Sequence, residues 1–443
     1  MNKISKNNYL RLPTQETENI LLISYKTEKI NSQLNLYRLI KELLIFNIFS
    51  SITLISIIIF FSIKLTDESS EAGKNLQLEL YNSLNKRRES NEYIKNCLNG
   101  NLTNIEKITK VKNPKISIII PIYNKQNYIL RILRSIQNQS LKEIEIVFTD
   151  DNSEDNSEFL IEKYQKEDPR IILLKHNKNQ GTLINRNEGA KHSKGEYLLF
   201  IDADDLLLND ILNKTFIIAS QKNVDILQFR SYWGDDLENL YRYEYYGYKH
   251  KTTLITQPEL SKLMYYEYEH ENKTLQTEYN LWGKLIKREI YMKLLENIDK
   301  YYLEQHMTLH EDGLILFILF KIAKTYLFIE EFGMFYSRNE NSSLANLRKD
   351  KNINKTVRDS FLYLKFMFEY TEDNTYEKNM AVYQFKFILK QFRPIFTKIT
   401  IGFEFIYDVI GLYLNCKYIN NNDKELFRKV IYDIELYEKQ NKG

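Results

Sequence analysis

Two cysteines, Cys97 and Cys416, are all that the 443 residues contain, which excludes a disulfide framework and a thiolate metal centre and leaves room for one bridge at most. Proline (6) and glycine (13) are scarce, so collagen-like repeats, Pro-rich spacers and Gly-rich linkers are ruled out. An excess of one charge is missing too. The 62 basic and 59 acidic residues are spread along the chain and leave a net charge of +3, without the concentrated basic stripe of a nucleic-acid binder. Nucleic acid is therefore not an expected partner. What the chain does have is apolar material: 43% hydrophobic and 13% aromatic residues, with 33 Tyr and 24 Phe, enough to offset the entropy of ordering a large core. The surplus of Ile, Asn, Lys and Tyr runs over the whole length and reads as coding bias. The length suits one large domain with appendages.

One uncharged apolar run stands out. Leu43 to Ile63 spans 21 residues, about the 20 that a helix needs to cross a bilayer. The 42 residues before it are mostly polar and no small-residue cleavage site follows, which argues against a cleaved signal peptide. A buried core helix would carry a polar face, and this segment has only scattered Ser, Thr and Asn47. Lys26, Lys29, Arg38 and Lys41 precede the run closely, against Lys64 and Lys74 after it. That asymmetry predicts a cytoplasmic N-terminus. The expected organisation is a tail over 1–42, a transmembrane signal anchor over 43–65, a polar stem over 66–113, an α/β domain over 114–345 and a helical extension over 346–443. A single-pass type II protein of the Golgi or another secretory-pathway membrane is the expected setting. Six Asn-x-Ser/Thr sites (Asn101, Asn138, Asn213, Asn272, Asn341 and Asn354) are compatible with it but arise by chance in an Asn-rich chain.

From Pro114 onward the pattern changes. Short apolar runs at 116–120, the first of them β-branched, 144–148, 171–174, 197–201 and 224–229 read as strands, and amphipathic stretches lie between them. The first carries Ile129, Leu133 and Ile136 on one face; Ser157 is the expected cap of a second, bearing Phe159, Leu160 and Tyr164. Alternating strands and helices predict a mostly parallel, Rossmann-like sheet with helices on both faces. Ligands bind such sheets at the carboxyl ends of the strands. Polar clusters fall there: Pro121 to Asn124, Asp150-Asp151-Asn152-Ser153, and Asp202-Ala203-Asp204-Asp205.

Three carboxylates in four residues would repel an oxygen-rich anion unless a hard cation, Mg²⁺ or Mn²⁺, sat between them. Solvated, strand-capping turns are the plain alternative for one such cluster. An EF-hand over Asp151, Ser153, Asp155 and Glu162 has the ligand spacing, but Asn156 stands where glycine is required and a strand precedes it. An aspartate-nucleophile phosphatase would carry Thr or Val where Leu206 stands, and its nucleophile would lie on the first strand.

Taken together, Ile116-Ser117-Ile118-Ile119-Ile120-Pro121-Ile122-Tyr123-Asn124, Asp150 to Ser153, Asn179-Gln180-Gly181 with Arg186-Asn187-Glu188-Gly189, Gly195-Glu196-Tyr197 and Phe200 to Asp205 resemble, in order and spacing, the motifs of family 2 glycosyltransferases with the GT-A fold. The likeness continues through Leu281-Trp282-Gly283-Lys284, His310-Glu311-Asp312-Gly313 and Tyr336-Ser337-Arg338 with Ser342-Ser343, covering roughly 114–345. It implies a nucleotide-diphosphate sugar donor, UDP-linked by preference, and a glycan, protein or lipid acceptor. By the same resemblance Asp151 contacts the base, Pro121, Tyr123 and Asn124 line the nucleotide pocket, and Arg186 lies near the phosphates. Asp204 and Asp205 meet ribose and metal; Asp202 belongs to the same motif, and which of the three touches the ion varies among relatives.

The resemblance also makes Asp312 the general base, with Glu311 beside it. An acceptor hydroxyl attacking the anomeric carbon must lose its proton as the bond forms, which gives a carboxylate that role on chemical grounds. The competing reading is that both acids only meet the dipole at the start of a helix expected over 314–324. His310 is expected to be an ordinary loop histidine. No Gln-x-x-Arg-Trp occurs and no second apolar span, so transfer of a single sugar, with inversion as a family expectation, is favoured over a processive synthase. The alternative to an enzyme is a catalytically degenerate relative that binds a nucleotide sugar or glycan, whose mark would be loss of the carboxylates. Phe361, Leu362, Leu364, Phe368, Phe385, Ile388 and Leu389 predict packed helices in the C-terminal region.

Overall fold

The computed structural model describes residues 109–208, 210–234, 240–243, 253–262, 280–337, 353–372, 375–392, 404–416, 419 and 421–441. The expected anchor, tail and most of the stem, like Arg338, Ser342 and Ser343, lie outside them. Among the described residues no helix is long and apolar enough to cross a membrane. The chain divides into two units, Met1–Asn91 with Asp236–Arg242, and Glu92–Asp235 with Tyr243–Gly443. Of the first unit only residues 240–242 are described, in a short strand. The second holds the sheet, the site and the C-terminal helices.

Strands β1 (Ile116–Ile122), β2 (Ile144–Asp150), β3 (Ile171–Lys175) and β4 (Tyr197–Phe200) pair in parallel in the order β3-β2-β1-β4. Helices α1 (Ile129–Gln137), α2 (Ser157–Glu167) and α3 (Thr182–His192) connect them. This half is what the sequence pattern predicts. Beyond β4 the sheet is mixed, which corrects the expectation of a mostly parallel sheet. β5 (Leu206–Leu207) is followed by α4 (Ile211–Lys222), β6 (Ile226–Gly234), β7 (Thr253–Thr256) and β8 (Lys284–Lys287). Then come α5 (Arg288–Asn297), α6 (Glu311–Ile322) and β9 (Thr325–Ser337). β8 lies antiparallel between β4 and β6, β9 is parallel to β6, and β5 and β7 are antiparallel to β9.

The alternation of strand side chains divides the core between the two faces of the sheet. Ile116, Ile118, Ile120 and Ile122 pack with α1 and α4 on one side; Ile119, Leu198 and Phe200 pack with α5 and α6 on the other. α6 is apolar nearly all round, with Leu314 to Phe320 buried, because α7 (Ile353–Glu369) packs against its other flank. α8 (Tyr376–Phe392), α9 (Glu404–Leu414) and α10 (Asn421–Asn441) extend the same core. Phe361, Leu362, Leu364, Phe385, Ile388 and Leu389 are buried there as the periodicity predicts.

Two local expectations are corrected. Ser157 is the first residue of α2 and not its cap; its amide donates to Asp155 Oδ1 at 2.9 Å, and its hydroxyl accepts the Lys125 amide at 2.9 Å. On α2 Phe159 is 66% exposed and not buried as expected, while Leu160 and Tyr164 pack partly buried against the core that holds Ile161.

Candidate active site

Three loops at the carboxyl ends of β1, β2 and β4 are stitched together by side chains bonding neighbouring backbone. Asn124, at φ 54°, donates its amide to Ser153 Oγ at 3.0 Å and accepts the Glu154 amide at 2.8 Å. Gln126 is held in the same way by Asp155 at 3.0 Å. Lys125 Nζ then crosses to Asp204 Oδ2 at 2.8 Å. Burial opposes the charge of that lysine, but the Asp204 carboxylate holds its pKa above the usual value. Pro121 is half-buried and Tyr123 is 43% exposed at this rim.

Asp151 is buried and organises the turn after β3: its carboxylate accepts the amides of Gln180 at 2.8 Å and Gly181 at 2.9 Å and meets His176 Nδ1 at 3.1 Å. Gly181 has φ +89°, and a Cβ there would stand 2.9 Å from the Met307 carbonyl, so only glycine fits the position without strain. Arg186, on the following α3, is buried and meets three carboxylates at once. Nη2 donates to Asp202 Oδ1 at 2.8 Å, Nη1 to Glu311 Oε1 at 3.2 Å, and Nη1 also to Asp312 Oδ1. Asp312 Oδ2 accepts the Leu281 amide at 3.1 Å. The Asp202 motif and the Glu311–Asp312 pair, far apart in sequence, are thus joined through one guanidinium.

The sequence profile described as Glycosyl transferase family 2 matches residues 117–295. Over those residues the chain is similar to family 2 glycosyltransferases. It is 41% identical over 101 residues to a GalNAc(5)-diNAcBac-PP-undecaprenol beta-1,3-glucosyltransferase of Campylobacter jejuni, covering 23% of this chain and 33% of that protein. It is 25% identical to the glycosyltransferase GlyA of Streptococcus pneumoniae, covering 54% of this chain and 32% of that one. The chain therefore spans about a third of the length of these two curated relatives. Its fold is like that of Staphylococcus aureus TarS 1–349 crystallised with UDP-GlcNAc, at a TM-score of 0.52 and 16% identity, over 73% of this chain and 89% of that one.

At this rim the acidic cluster is uneven. Asp204 and Asp202 have cationic partners, whereas Asp205 is 1% exposed, accepts the Ser337 amide at 2.9 Å on Oδ1, and leaves Oδ2 with no hydrogen-bond partner among the described residues. Burial first, then the charges of Asp204 and Asp202, push its pKa well above the carboxylate range. Among the described residues no three His, Cys, Asp or Glu side chains are grouped to hold a metal ion by themselves. Mg²⁺ is ordinarily bound by one or two carboxylates together with substrate phosphate and water. An orphaned, buried carboxylate oxygen next to Asp204 fits that kind of cation.

His310 departs from the expectation of an ordinary loop residue. It adopts φ 62°, stacks on Tyr363 with ring centroids 5.2 Å apart, and Nε2 lies 3.1 Å from Ser360 Oγ. Burial lowers its pKa to about 4. Lys125, Asp155 and His176 join the site without having been expected there. Their signal, a polar residue next to a recognised motif, exists in the sequence but carries no chemistry until the loops are brought together.

Proposed function

We propose that this chain transfers a single sugar from a nucleotide diphosphate, UDP by preference, to an acceptor hydroxyl of a glycan, protein or lipid, with inversion and with Mn²⁺ or Mg²⁺. The observation that carries the reading is the convergence of Asp151, Asp202 to Asp205, Arg186 and the Glu311–Asp312 pair on one rim of a domain similar to family 2 glycosyltransferases. The crystallisation of TarS 1–349 in complex with UDP-GlcNAc and the glucosyltransferase name of the Campylobacter relative support the donor class.

Each oxygen of a carboxylate has two lone-pair sites. Asp151 therefore keeps capacity for the base N–H after holding Gln180 and Gly181, and the exposed ring of Tyr123 offers the base an apolar face. Asp205, with Asp204 or Asp202, would hold the cation, which neutralises charge on the leaving diphosphate. Asp312 takes the acceptor proton. Its two oxygens are fixed by Arg186 and the Leu281 amide, and burial raises its pKa against the pull of Arg186, which makes it a better base than a solvated carboxylate. The apolar run at 43–63 supports a membrane anchor with the domain on the far side from the cytoplasm.

The test is a screen of nucleotide sugars for release of the nucleotide diphosphate by the full chain, with and without Mn²⁺. Release from a UDP-sugar that falls by about 10² to 10⁴ in Asp312→Asn is expected. A rate within a few fold of wild type in that variant would reduce the Glu311–Asp312 pair to a feature of the helix start.

A further inference from the structure

Helix α7 lies beyond the segment that matches the family profile, yet it grips the loop leading into the catalytic pair. Arg358 donates to the His306 carbonyl at 3.1 Å and to Gln305 Oε1 at 2.9 Å; the buried Asp359 accepts the Thr308 amide at 3.1 Å. On the other side of that loop His306 Nε2 lies 2.9 Å from Asn179 Oδ1, in the turn whose next two amides bind Asp151. One face of α7 is thereby seated against the rim. Lys355 belongs to this face, three and four residues before Arg358 and Asp359, the spacing of neighbours on a helix surface.

The charge balance of the rim calls for a cation. Asp151, Asp202, Asp204, Asp205, Glu311 and Asp312 all converge on it; against them stand Arg186, committed to three of these carboxylates, Lys125, committed to one, and the buried Lys284, whose charge acts on Asp312. Lys355 is half-buried and forms no ion pair among the described residues. Burial, with the neighbouring Arg358, holds its ammonium below the usual lysine range against the negative charges of Asp359, Glu311 and Asp151. Asp151 marks the base end of the proposed donor and Asp312 the sugar end. In a nucleotide sugar the diphosphate lies between the two.

We propose that Lys355 binds the diphosphate of the nucleotide donor, so that the C-terminal helices complete the donor site. This rests on the donor reading above. Calorimetric titration of the full chain with UDP and with uridine, in Mn²⁺, separates the two claims. In Lys355→Gln the UDP affinity should fall about tenfold or more, the worth of a charge-assisted hydrogen bond, with uridine affinity unchanged; Lys355→Arg should stay within a few fold of wild type. UDP affinity of Lys355→Gln within twofold of wild type would overturn the inference and leave the donor reading standing. Equal losses for UDP and uridine would also overturn it, since Lys355 would then shape the base pocket. Absence of UDP binding in the wild type would overturn the donor reading itself.

Discussion

Arg186 meets three carboxylates with one positive charge, so the cluster is acidic unless it holds a proton. Burial raises both Glu311 and Asp312, and burial followed by the neighbouring Asp312 pushes Glu311 from 4.5 to about 7. A carboxyl raised on folding binds a proton that the unfolded chain has already released, so its contribution to stability is fully present below about 4.5 and is lost as pH rises through about 7. Thermal unfolding of wild type and Glu311→Gln should therefore diverge across this window. The wild type is expected to lose about 1 to 3 kcal/mol relative to the variant between its ends. Parallel profiles would mean that Glu311 stays ionised throughout. At this scale the carboxylates were legible, because they recur in a fixed order and spacing at the ends of successive strands. Their partners were not. Arg186 and Glu311 are 125 residues apart, and Lys125 and Asp204 are 79 apart; only the fold sets which charge meets which.

Among the elements, β1 to β4 were readable because each is a short apolar run bounded by polar turns. β8 was not recognised as a strand. Its Lys-Leu-Ile-Lys sequence suggests a surface segment, yet Lys284 is wholly buried with Nζ donating to the Asn280 carbonyl at 2.6 Å. On α2 only Phe159 departs from the expected apolar side, 66% exposed where Leu160 and Tyr164 pack on the core. The turn at Gly181 couples two elements that sequence keeps apart: its amide binds Asp151 and its missing Cβ makes room for the Met307 carbonyl. Gly181→Ala combines an unfavourable φ with that backbone contact. It should cost about 1 to 3 kcal/mol in denaturant unfolding and displace the loop that carries Glu311 and Asp312. An unchanged midpoint would show that the loop yields freely there.

For the molecule as a whole, the catalytic half of the fold places its acids at one rim, and the C-terminal helices close the core behind α6 and reach that rim through Arg358 and Asp359. The C-terminal packing was legible from periodicity; its contact with the site was not, since polar residues on a helix do not announce what they face. The proposed membrane anchor belongs to this scale too. With a cytoplasmic N-terminus, protease added to sealed microsomes should leave the region after residue 66 intact until detergent is present. Digestion without detergent would reverse the orientation and put donor use on the cytosolic side.

The central claim is that the rim binds a nucleotide diphosphate through a cation held at Asp205. A UDP titration by calorimetry, comparing wild type in Mn²⁺, wild type in EDTA, Asp205→Asn and Asp312→Asn, tests it most directly. A diphosphate facing uncompensated carboxylates in a partly dry cleft is repelled. Binding should therefore be saturable in Mn²⁺, be lost in EDTA and in Asp205→Asn, and survive in Asp312→Asn. Equal UDP affinity with and without Mn²⁺, undisturbed by Asp205→Asn, would contradict the account and leave the acidic cluster a structural turn.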